Sequence, residues 1–104
     1  STDPATVARV RSLVRPGERV LVLLDSCHAK AHVRAELEAY APLVSEGSYI
    51  VATDGVMAAV AGRPGSKPGW EWDNPSEAAK EFAAANPNFR LEEPGFLFNE
   101  GKVD

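Results

Sequence analysis

At 104 residues, 44% hydrophobic and 25% charged, the chain has the composition of an ordinary globular protein and room for a single core. Its formal charge of -4, with eleven scattered Lys and Arg, excludes the basic patch that nucleic acid requires. One cysteine, Cys27, rules out an internal disulfide, and the apolar run over residues 20–24 is too short to cross a bilayer. No basic-then-apolar leader opens the chain, so the expected compartment is the cytoplasm, with no membrane partner.

Asp3 followed by Pro4 predicts an N-cap and first helical position. Val7, Val10 and Val14 recur at helical spacing beside Leu13, which gives a helix over residues 4–14. After Arg15-Pro16-Gly17, residues 19–25 read Arg-Val-Leu-Val-Leu-Leu-Asp, the continuous apolar run of a parallel strand buried on both faces. Ser26 is expected to cap a second helix that runs to Tyr40. That helix would bury Val33, Leu37 and Tyr40 and turn Arg34, Glu36 and Glu38 mostly to solvent. Residues 48–54, Ser-Tyr-Ile-Val-Ala-Thr-Asp, repeat the strand pattern and again end on an aspartate.

Residues 55–73 hold Gly62, Pro64, Gly65, Pro68 and Gly69 together with Trp70 and Trp72, a long loop of the kind that covers a site. Asn74-Pro75-Ser76-Glu77 then forms a capping-box pattern for a third helix to about Asn86, burying Ala78, Ala79, Phe82 and Ala83. A short strand is expected over residues 89–92 and a last one at Phe96-Leu97-Phe98. The order αβαβαββ predicts one α/β domain over residues 1–104, a parallel sheet with helices on both faces and an antiparallel edge.

Ligands of open parallel sheets bind beyond the carboxyl ends of the strands, where Asp25 and Asp54 become neighbours if the two strands pair. Such carboxylates can hold a divalent cation, or can cap the turn that follows each strand. His28, three residues past Asp25, can accept a proton from a hydroxyl or serve as a hydrogen-bonded structural residue. His32, one turn further on, reads as a solvated or packing residue. Cys27 reads as a small thiol, because Asp25-Ser26-Cys27-His28 lacks the Gly-x-Ser-x-Gly pattern of a nucleophile elbow. Trp70 and Trp72, with Arg63 and Lys67, can form a lid that stacks on an acceptor, or can pin the loop to the sheet.

These segments carry a resemblance. Residues 20–28 (Val-Leu-Val-Leu-Leu-Asp-Ser-Cys-His), His32-Val33, residues 36–44 (Glu-Leu-Glu-Ala-Tyr-Ala-Pro-Leu-Val) and residues 47–51 (Gly-Ser-Tyr-Ile-Val) resemble the cephalosporin hydroxylase and rhamnosyl O-methyltransferase family. So do Asn74-Pro75, Ala79, Glu81-Phe82, Asn86-Pro87 and Phe89. The resemblance implies the carboxy-terminal half of a Rossmann-like class I methyltransferase fold, with S-adenosylmethionine as methyl donor and a sugar or natural-product hydroxyl as acceptor. It further implies Mg2+ on Asp25 and Asp54, with His28 as the acid-base residue beside Asp25. Two positions depart from the family pattern: Cys27 stands where an acid is usual, and Thr53 where an acid or bulky residue is common. The glycine-containing turn that cradles the cofactor in such folds is absent from the sequence, so activity is expected to need an amino-terminal half. Two readings stand at this point. One is an O-methyltransferase of sugars or natural products; the other is a truncated or degenerate non-catalytic domain that completes its sheet by oligomerising or with a partner chain.

Overall fold

The computed structural model describes residues 1–93. Asp3 accepts the amide of Ala5 at 2.8 Å and Pro4 occupies the first turn, opening α1 (Pro4–Leu13). No residue of α1 is fully buried; only Val7 and Val10 lean against the core, and Leu13 is exposed. The expected strands form only at their centres, as β1 (Val22–Leu24) and β2 (Ile50–Ala52). They pair in parallel with Val22 opposite Ile50, Leu23 opposite Val51 and Leu24 opposite Ala52. The crossover between them is α2 (Lys30–Tyr40), followed by a 3-10 turn, Ala41–Leu43.

α2 packs against α3 (Pro75–Ala85), and the core is Val33, Leu37 and Tyr40 meeting Ala78 and Phe82, with Leu24 beneath them. Val22, Ile50 and Ala52 face this core. The opposite face of the sheet is open: Leu21 and Leu23 are 59% and 61% exposed, and Val51 is exposed as well. The expectation of strands buried on both faces, in a sheet flanked by helices on both sides, is therefore corrected. α2 and α3 pack on one face, and on the other Leu21, Leu23 and Val51 stay exposed among the described residues. Among the described residues the order is αβαβα with a two-stranded sheet.

Two helix starts contrast. α3 begins as expected: the side-chain oxygen of Asn74 accepts from Glu77 at 2.9 Å, its amide nitrogen donates to the Trp70 carbonyl at 2.8 Å, and Asn74 is wholly buried. α2 does not begin at Ser26. Its cap position is Ala29, which offers no side-chain acceptor, and the Lys30 amide is taken at 2.6 Å by Asp73 from 43 residues away. Ser26 is diverted because its hydroxyl donates to Glu36. The strand expected over residues 89–92 does not form among the described residues; Phe89 instead packs its ring edge-on against Phe82, with centroids 5.3 Å apart. Phe96-Leu97-Phe98 lies outside the described residues.

Candidate active site

β1 and β2 run side by side, so Asp25, directly after Leu24, and Asp54, two residues after Ala52, come off the same edge of the sheet. The turn after β1 carries His28 back over that edge. Its Nε2 lies 2.9 Å from Asp54 Oδ2 and 3.4 Å from Asp25 Oδ1. Neither approach has hydrogen-bond direction, and Nε2 is shielded from solvent without a bonded partner among the described residues. Neither aspartate caps through its side chain, although Asp54 stands at the N-cap position of the turn that follows it. Asp54 is left-handed at φ 57 and its side chain makes no cap bond to the 3-10 turn Gly55–Ala58, while the cap of α2 is Ala29.

The Thr53 hydroxyl lies 2.8 Å from Asp25 Oδ1 and 3.1 Å from the Leu24 carbonyl. The carboxylate is both the nearer and the charged acceptor, so it takes the hydroxyl proton. This hydrogen bond, and then the nearness of His28, hold the Asp25 carboxyl below its ordinary range. Cys27 is exposed and its thiol lies outside this group.

Of the proposed lid residues, Trp70 is half-buried and tied through its carbonyl to Asn74, while Trp72 is largely exposed beside Gly69. The Lys30 ammonium lies 5.8 Å from the Trp72 ring centroid. Together with the Asp73 cap, this fastens the end of the long loop two residues past His28.

A second polar cluster escapes sequence reasoning. Glu36, expected on the solvent side of α2, is 1% exposed. Its Oε1 accepts from Ser1, Ser26 and His32, the last at 2.9 Å, and Tyr40 fastens the same segment by donating to the Ser1 carbonyl at 2.6 Å. Burial pushes the Glu36 carboxyl up, but the hydrogen bonds from Ser1, Ser26 and His32 outweigh it and leave the group below its usual range. The signal was present in the spacing: Glu36 falls three residues after Val33 and four before Tyr40, inside the buried stripe.

The sequence model of the Rhamnosyl O-methyltransferase/CmcI family matches residues 1–99. The chain belongs to this family. Proteins named rhamnosyl O-methyltransferase from Mycobacterium tuberculosis H37Rv and from Mycobacterium bovis BCG Pasteur are each 36% identical to it over 90 residues. The match covers 85% of this chain but 34% of those proteins, so the chain spans about a third of the length of the curated relatives it matches. No solved structure matches it. Within this Rhamnosyl O-methyltransferase/CmcI family member, no described helix is long and apolar enough to cross a membrane.

Proposed function

We propose that the protein carrying this chain transfers a methyl group from S-adenosylmethionine to a hydroxyl of a small-molecule acceptor, with a rhamnosyl sugar as the acceptor class suggested by the relatives' name. The observation that carries this reading is the meeting of Asp25, His28 and Asp54 beyond the carboxyl ends of two parallel strands, where such sheets take ligands. Family membership favours it over the non-catalytic alternative.

The methyl donor supplies an electrophilic carbon on a sulfonium. An acceptor hydroxyl that took the methyl group would have to give up its proton, and Nε2 of His28 is the base assigned to receive it. Asp25 and Asp54 stand beside the imidazole, 3.4 and 2.9 Å from Nε2. Trp70 and Trp72 serve as a lid over the acceptor, and donor binding is assigned to none of the described residues.

The Mg2+ that the resemblance implies would be held by Asp25 and Asp54 and would polarise the acceptor hydroxyl. An imidazole nitrogen stands within the same group, however, so the donor set is mixed rather than all-oxygen and suits Mg2+ poorly. The reaction is therefore written without the ion.

The test is transfer of a labelled methyl group to rhamnose-bearing glycosides by the complete protein. His28→Ala is expected to slow transfer by about 10²- to 10⁴-fold while calorimetry shows S-adenosylhomocysteine affinity unchanged. Unchanged turnover in that variant removes the role of His28; no transfer to any sugar acceptor by the unmutated protein overturns the reading.

A further inference from the structure

The Nε2 atom of His28 is buried, lies close to two carboxylate oxygens, and is directed at neither as a hydrogen-bond partner. A buried nitrogen close to two carboxylate oxygens and bonded to neither is what a metal ligand presents when three donors share an ion. Donors 2.0–2.2 Å from one ion stand about 3 Å apart at octahedral angles and about 3.4 Å apart at tetrahedral ones. The spacings from His28 are 2.9 and 3.4 Å, and all three ligand atoms lie within 4.8 Å of one another.

We infer that Asp25, His28 and Asp54 form a mixed nitrogen–oxygen site for a borderline first-row ion such as Co2+ or Zn2+, with His28 as a ligand and Mg2+ disfavoured. The softness of the donors decides the class of ion, because imidazole suits Zn2+ and its neighbours while Mg2+ selects oxygen. Thr53 acts one shell out, its hydroxyl fixing the Asp25 carboxylate that would bind. The other histidine is not a competitor, since its Nε2 is engaged by Glu36. Both aspartates are largely exposed, which leaves room for water or an acceptor oxygen on the ion. The site uses the residues of the proposed reaction but does not depend on that reaction. An ion on Nε2 occupies the lone pair that accepts the proton, so loading with Zn2+ is expected to inhibit methyl transfer.

The experiment is titration of the full chain with Co2+, followed by its visible absorption, and with Zn2+ and Mg2+ by calorimetry. Neither readout involves methyl transfer, so failure here leaves the proposed function standing, and failure of that function leaves this result interpretable. One Co2+ or Zn2+ per chain is expected, with Mg2+ about 100-fold weaker or more. His28→Ala and Asp54→Asn should each weaken Co2+ by about tenfold or more, whereas His32→Ala and Cys27→Ser should leave it unchanged. Should His28→Ala fail to fold, proton NMR of the unmutated chain decides: bound Co2+ must shift the ring resonances of His28 far more than those of His32. Mg2+ binding as tight as Co2+, full binding by a folded His28→Ala, loss of binding in Cys27→Ser, or larger shifts at His32 would each overturn the assignment.

Discussion

Glu36 ties the turn that carries Asp25 and His28 to α2, and it does so as a buried anion. Its carboxyl is held below the ordinary range of about 4.3, so its contribution to stability is present above that pH and is lost as pH falls through the lower folded value. Replacing it by Gln keeps one acceptor oxygen and the shape but removes both the charge and the site of protonation. Hydrogen bonds to a charged acceptor contribute about 1.5–3 kcal/mol each, and two of the three donors belong to exposed serines that water can satisfy. The net loss in Glu36→Gln near pH 7 is therefore about 1–3 kcal/mol. For a chain of this size that corresponds to a fall of roughly 4–8 °C in melting temperature per kcal/mol. Thermal unfolding followed by circular dichroism between pH 7 and pH 3 reads it directly. The two proteins should differ most at pH 7 and converge as the acid limb is entered. Asp25 and Glu81, also held low, contribute acid sensitivity to both proteins and cancel in the comparison. A gap that stays constant over the whole pH range would refute the argument, because the anion would then contribute nothing that protonation removes.

Asp73→Ala removes the side chain that caps α2, and a loss of about 1 kcal/mol is expected by chemical denaturation, with the Trp72 environment changing in fluorescence. Asp73→Asn should recover most of that stability. On the sheet, Leu24→Ala should cost about 2–5 kcal/mol, whereas Leu23→Ala, on the open face, should stay within about 0.5 kcal/mol in the same denaturation assay.

Local signals located the helices well where the cap was local. Asp3-Pro4 and Asn74-Pro75 each set a helix start, because cap and first turn lie within four residues. The start of α2 was illegible for the opposite reason: its cap arrives from Asp73, and the nearby Ser26 that looked like one is spent on Glu36. Glu36 reads as a solvent-facing residue by its charge, yet Val33, Glu36, Leu37 and Tyr40 share one helical stripe. The apolar run over residues 20–24 carried no information on which face would be covered; that depends on what packs there, and only Val22 and Leu24 meet α2 and α3. The candidate site was more legible. A carboxylate at the end of each of two apolar runs needs only parallel pairing to converge, and the pairing is observed. What spacing alone could not show is that His28 folds back between them.

Thr53 decides what that convergence can hold. The resemblance puts an acid or a bulky residue there, and an acid would set a third carboxylate beside Asp25 and Asp54. Thr53 instead donates to Asp25 and helps to hold its carboxyl low, where a neighbouring acid would raise it by like-charge repulsion. The group as it stands carries two negative charges and one imidazole. Thr53→Glu adds a hard oxygen donor and a third negative charge at the same sheet edge, which is the change Mg2+ requires. The variant is expected to gain Mg2+ affinity by about tenfold or more in calorimetry, equivalent to about 1.4 kcal/mol, while its preference for Co2+ over Mg2+ narrows. If Thr53→Glu folds and Mg2+ affinity does not move, residue 53 does not reach the ion, and the choice of metal at this sheet edge rests on His28 alone.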